Sequence, residues 1–506
     1  MKTQWTDLSN STISNEEGWF RRFHDRYHNE AAVLQAGLVN KPWANKLLFG
    51  LQYTHEYAQV QNANLMKIVF GGKLRKNWGL TPSLLYEKRN LFTRGLNLRL
   101  SARYDYTTTN NVDTLSRTYS WTGQWIPKAS QGEGATSLAE FTGKTLTAVA
   151  NLTYRIGDQH FFTLNETYIN FHRHTTDNSA NCAMTSAATF MRRINIKDIT
   201  GLSYQFIPNT EWNATAFVKY YDTHVTGPVN VSQTTRAQYE EQQRHSQALG
   251  FGAAGTWTPW RDLQVKLSYE RALRLPSERE LFGDGDYEEG DAVLKPEKSN
   301  NVNLNFNYEH TFADAHTIVA ELGLNYRNIQ DYIIRTINAK GVAVSTNHGH
   351  VLGEGFDAAI HYLYKDIFII GGNYSMQNMR NRERYNANGA LSVTFNNRVP
   401  NLPYAFGNMD ASYTLKHVFG KYNKLTIGYD MRYVHRFYRS WSGDGAKLYV
   451  PEQYSHDANL TYSIYGGRYN ISIEANNFTN SLLYDNYSLQ KPGRNFAIKF
   501  RYSLSK

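Results

Sequence analysis

The chain closes on "NFAIKFRYSLSK", residues Asn495 to Lys506. Every second residue is apolar: Phe496, Ile498, Phe500, Tyr502 and Leu504. Between them stand Ala497, Lys499, Arg501 and Ser503. A period of two with one apolar and one polar face marks a β-strand. A terminus frays unless something holds it, so so regular a strand at the very end implies neighbours on both sides. The pattern recurs upstream. "LNLRLSARYDY" aligns Leu96, Leu98, Leu100, Ala102, Tyr104 and Tyr106, "NVNLNFNY" aligns Val302, Leu304, Phe306 and Tyr308, and "KLTIGYDMRY" aligns Leu425, Ile427, Tyr429, Met431 and Tyr433. No stretch carries a helical period, so the expected class is all-β.

Connection lengths suggest the architecture. Tight links at 155–159, 207–211, 258–262, 312–316, 364–366, 419–423 and 465–468 alternate with polar segments at about 173–195, 225–244, 275–299, 331–353, 381–404, 439–455 and 479–493. A meander with two such different ends matches a large antiparallel transmembrane barrel, short turns at one end and long loops at the other. Fifteen strands count back to about Lys144. Six more are expected near 28–39, 44–58, 63–72, 80–90, 93–107 and 117–126. The total falls within 20–22, and because such barrels have an even number, a further N-terminal strand is expected to be missing. The last strand then pairs with the first, and Trp43, Trp212, Trp257 and Trp260 beside the short turns form an interfacial girdle. Residues 1–27 read as a remnant of a first strand or its loop, and 28–506 as the barrel.

Composition narrows the classes. Among 506 residues nowhere do about 18 apolar ones run together, which excludes a helical membrane span. The opening "MKTQWTDLSNSTISNEEG" has no apolar core of a secretory leader. A single cysteine, Cys182, precludes an internal disulfide. The net charge of +10 is spread along the strands, not gathered into a stripe, which argues against nucleic acid.

Two stretches resemble a known family. "EANNFTNSLLYDNYSLQKPGRNFAIKFRYSL" is similar to the C-terminal signature of TonB-dependent outer-membrane receptors through Asn477, Phe478, Pro492, Gly493 and Arg494. "RALRLPSERELFGDGDYEEGDAVLKPEKSNN" resembles the same family through Pro276, Glu278, Lys295, Pro296 and Glu297. The likeness, closest to Bacteroidota-type receptors, implies energy-coupled import of a scarce solute such as an iron–siderophore or a glycan. It implies an outer-membrane location with a periplasmic C-terminus, and membrane lipid and the barrel-assembly machinery as partners. TonB would be reached only through a plug domain, which this sequence does not show. A passive porin-like channel, a plug on a separate chain, and a soluble or surface β-sandwich that binds carbohydrate are the alternatives.

Candidate site residues follow from residue type. Asp284, Asp286, Glu288 and Asp291 in "FGDGDYEEGD" could share a calcium ion, although the EF-hand spacing fails. His348 and His350, with His172 and His174, have i, i+2 spacing compatible with a metal complex. Tyr287, Tyr385, Trp441 and Tyr449 could stack on a cargo. Arg99, Arg103, Asp105, Lys266, Glu270, Asp430, Arg432, Lys499 and Arg501 lie opposite the apolar stripes and are expected to line a polar lumen. No zinc motif, phosphate loop or nucleophile triad occurs, so neither an enzyme nor a cofactor is expected.

Overall fold

The computed structural model describes residues 1–506 except 11, 15, 180–186, 233–237, 338–341, 387, 442–447, 487–488 and 505–506. Cys182 therefore lies outside the described residues. Among the described residues, nineteen strands of eight to 22 residues form one antiparallel wall, ordered around a barrel together with the two-residue strand Glu288–Glu289. The first long strand is Tyr27–Lys41 and the last is Asn495–Tyr502.

Alternation builds the wall as expected. In the last strand, Phe496, Ile498 and Phe500 stand opposite Ala475, Ile473 and Ile471. Lys499 and Arg501 stand opposite Ser472 and Asn470. The apolar set is exposed all around the ring, as at Leu164, Leu202, Val218, Leu249, Leu267, Leu324, Ile360 and Ile427. An apolar stripe left open to the outside on every strand does not fit a water-soluble sandwich, whose stripes would face each other. At the short-turn end Trp43, Trp212, Trp257 and Trp260 are exposed, with Trp212 and Trp257 stacked at 5.7 Å.

Two expectations need correction. The fifteen strands downstream are present, but upstream there are four, not six. Residues 63–72 are irregular, and 117–119 pairs with 125–127 and bridges Val69 through Tyr119, apart from the wall. Their apolar residues serve a local core instead: Met66, Val69 and Trp121 pack with Met1, Trp5, Phe20, Tyr119 and Leu489. That core seats Met1, Trp5 and Phe20 at the long-loop end. Second, the expected long loops at 331–353 and 225–244 are largely strand: Tyr332 to Ile337 pair with His348 to Ala343, and Val225 to Asn230 pair with Arg244 to Tyr239. Above the apolar belt a strand has no greasy face to display, so alternation cannot reveal it.

The ring order closes the barrel and brings the last strand beside the first, as expected. All fifteen residues of Tyr27–Lys41 are exposed.

Most of the charges opposite the apolar stripes bond within the wall. Arg103 pairs with Asp105 at 2.8 Å, Lys219 with Glu270 at 2.8 Å, Lys499 with Glu474 at 2.7 Å and Arg99 with Glu87 at 3.7 Å. Lys266 stands opposite Thr256 and Asn305, and Arg432 opposite Asn408 and Ser455. Asp430 is flanked in register by Asp410 and Asp457.

Candidate functional site

The segment Leu275–Pro296 joins the strands Leu263–Arg274 and Glu297–Phe312 at the long-loop end. Its start follows from its sequence. Ser277 caps the short helix Glu278–Phe282: its hydroxyl accepts the Glu280 amide, and the Glu280 carboxylate accepts the Ser277 amide. This reciprocal capping satisfies amides the helix cannot satisfy itself. Gly283, at φ +66°, ends the helix and redirects the chain.

The apolar residues of the segment decide where it goes. Leu281, Phe282, Ala292 and Leu294 bury against Ile333, Phe171, Val225 and Val229. Those wall residues are out of phase with the exposed Leu164, Val218 and Leu324, so they belong to the inner face. The segment therefore turns into the barrel mouth and does not rise into solvent.

Ionic anchors then tie it across the ring. Glu278 accepts from Lys197 at 2.9 Å and Asn195 at 3.1 Å. Arg274 bridges Glu280 at 3.1 Å and Glu297 at 2.9 Å, and Glu297 also accepts the Ile333 amide at 2.7 Å. Arg173 donates to the carbonyls of Phe282 and Gly283. Glu288 is held by Arg279 and, at 3.3 Å, by Arg335, while Glu288 and Glu289 run parallel to Ala343 and Val344. Asp286 meets Lys73 at 2.5 Å and Arg75 at 3.6 Å. Burial pushes the Asp286 carboxyl up from its usual range, and Lys73 and Arg75 offset this only in part. The anchored strands run from the third of the nineteen, Leu74–Lys88, to the thirteenth, Ala343–Tyr364, so the segment spans the mouth as a strap.

This geometry reassigns the acidic residues. Asp284 spends one oxygen on the amides of Asp286, Tyr287 and Glu288, at 2.9–3.0 Å. Asp291 caps the Val293 amide at 3.0 Å. With Asp286 and Glu288 committed to different cations, the four carboxylates do not converge on one ion. Tyr287 is half-buried, near Phe70 and with Lys73 over its ring at 4.3 Å. The resemblance motif is thus a clamp: Pro276 lines a small cavity with Leu281 and Leu294 within the strap, Glu278 and Glu297 pin it, and the Lys295 amide donates to Asn347 at 2.7 Å just before Pro296.

The other candidates scatter. His348 lies 5.1 Å from the Trp441 ring and contacts Asn381 at 2.8 Å, while His350 contacts Asn328 at 2.8 Å. Tyr385 and Tyr449 are exposed at loop ends. His172 and His174 share the face of Phe162 and Leu164, so they lie on the outer wall, away from the mouth. Asn477 binds Asp457 through its amide at 2.6 Å, Phe478 packs on His456, and Arg494 with Gly493 adjoins Asn480 after Pro492, which together pin the last loop. The anchoring cations Lys73, Arg173, Lys197 and Arg335 were not legible beforehand. Each is a single charge at a strand end, and its partner is remote in sequence.

The barrel, its unequal ends and the inward strap coincide with one family model, described as "TonB dependent receptor-like, beta-barrel", which matches residues 12–478. The chain belongs to that family. No curated protein sequence matches it. Among solved structures, TonB-dependent receptors share its fold. The FrpB iron transporter from Neisseria meningitidis superposes with a TM-score of 0.67 at 14% identity, covering 94% of this chain and 72% of that one. The siderophore receptor PiuA from Acinetobacter baumannii gives 0.69 at 12%, covering 95% and 75%. The copper transporter OprC gives 0.72 at 11%, covering 99% and 74%.

TonB-dependent receptor barrels reside in the outer membrane, so the exposed stripe faces lipid. Leu322→Arg, on the outer face among Phe306 and Ala358, should cost about 2–4 kcal/mol in folding titrations into lipid. The same change at Glu321, one residue back and inward, should cost far less. Equal costs at the two positions would contradict the assigned faces.

Proposed function

We propose that this barrel is the wall of a receptor that imports a metal complex of the iron–siderophore kind, driven by TonB. In this reading the long-loop end faces the outside and the C-terminus lies in the periplasm. Coupling passes through a plug seated against the inner charges, with the cluster Asp410, Asp430 and Asp457 facing its cations. Assembly machinery of the outer membrane would read the terminal strand. The observation that carries the proposal is the strap Leu275–Pro296, pinned across the mouth where a passive pore would stay open. The titles of the structural neighbours, an iron transporter, a siderophore receptor and a copper transporter, favour a metal complex over a glycan. Trp441 beside His348, with Tyr385, Tyr449 and His350 at the loop ends, supplies aromatic and imidazole surface for such a cargo.

Growth tests decide this. Deleting the gene should abolish growth on one chelated iron source and leave growth on simple sugars and glycans intact. Wild type should restore it, and restoration should fail when TonB is absent. A deficit confined to a glycan would shift the cargo class, and uptake independent of TonB would overturn the mechanism.

A further inference from the structure

On the outer wall, two neighbouring strands carry polar residues directly above their apolar stripes. The strand Trp212–Asn230 displays Trp212, Val218 and Tyr220 outward and then, in the same phase, Asp222 and His224. Its neighbour Tyr239–Trp260 displays Trp257, Phe251 and Leu249, then Gln247 and His245. Both apolar stripes end at the same height, and the polar residues begin there. His224 stands directly opposite His245 in the ladder, and the rings stack with centroids 4.1 Å apart and planes 7° from parallel. Asp222 Oδ1 lies 3.2 Å from His224 Nε2 and 2.8 Å from His245 Nε2.

We propose that Asp222, His224 and His245 form a divalent transition-metal site at the long-loop border of the lipid-facing belt. The three donor atoms lie within 4.8 Å of one another. A tetrahedral zinc ion with bonds of 2.0–2.1 Å needs donors ~3.3 Å apart, so the two short spacings already suit it and a modest ring rotation brings in the third. Two imidazoles directing Nε2 at one carboxylate oxygen present the set that a metal takes by displacing the protons between them. The second carboxylate oxygen accepts from Gln247 Nε2 at 3.0 Å, which fixes the carboxylate as an outer-shell partner does. Asp198, opposite Asp222 on the next strand, adds a second negative charge. Like charges facing each other across a ladder destabilise it, and a bound cation relieves that. Two nitrogens and one oxygen suit zinc, cobalt, nickel or copper better than calcium or magnesium. One coordination position remains open, away from the wall.

The test uses the full chain in detergent micelles after chelation, with zinc(II) followed by calorimetry and cobalt(II) by visible absorption. One site per chain is expected, with the intense bands of tetrahedral cobalt. Asp222→Asn, which keeps the side-chain size, and His245→Ala should each weaken zinc binding by about tenfold or more. His160→Ala, on the same face but at the short-turn end, should change nothing. Mobility of unheated samples on gels confirms folding of each variant. Absence of stoichiometric binding by the parent chain, or unchanged affinity in the His224→Ala/His245→Ala double variant, would overturn the site.

Discussion

Asp286→Ala should release the strap from the mouth while leaving the barrel wall intact. Asp286 and Lys73 are both more than nine-tenths buried and 2.5 Å apart. Removing the carboxylate strands the Lys73 ammonium among Phe70 and Tyr287, and breaking a buried pair this way costs about 3–5 kcal/mol. The pair itself need not be favourable, since burial already pushes the Asp286 carboxyl up. The double change Lys73→Met/Asp286→Leu should therefore recover most of the loss, because two apolar groups need no partner. Hydrogen exchange and limited proteolysis over residues 278–294 read the strap, and heat-resistant mobility reads the wall. Equal protection in the parent and in Asp286→Ala would show that the ion pair does not hold the strap. A double variant as loose as the single one would show that packing, not charge, was lost.

Gly283→Val should have a comparable effect from a different cause. Gly283 sits at φ +66°, ψ −174°, a region essentially reserved for glycine. A Cβ there would lie 2.1 Å from the Glu288 carbonyl oxygen and 3.0 Å from the Gly290 amide nitrogen. Both contacts are backbone, so neither yields by a side-chain rotation. The strain alone costs about 1–3 kcal/mol, and the clash forces Glu288 away from Arg279, Arg335 and its ladder on Ala343. Protection of residues 278–294 should fall at least as far as in Asp286→Ala, with the folded barrel retained. Gly283→Ala should be nearly as damaging, because the clash begins at Cβ. Full protection of these residues in Gly283→Ala would refute the claim that this turn sets the strap.

What could be read beforehand followed from the repeating contrast between lipid and water. Phe496, Ile498 and Phe500 alternating with Lys499 and Arg501 already specified a strand with one face in each medium. The seven tight links specified which ends are short. The resemblance of "LPSERELF" and "LKPE" marked the strap, though not what its carboxylates do. Above the lipid belt the contrast vanishes, so the strands through Tyr332–Ile337 and Val225–Asn230 passed for loops, and Met66, Val69 and Trp121 passed for wall.

Alternation by itself determined the all-β class, the antiparallel meander and the side of each strand that meets lipid, because a period of two is a local property of neighbouring residues. Only the folded ring decided which remote residues meet. Asp286 finds Lys73 213 positions away, Glu278 finds Lys197, and His224 finds His245. Ladder register and loop return set those encounters, and both depend on how the whole wall curves around its lumen.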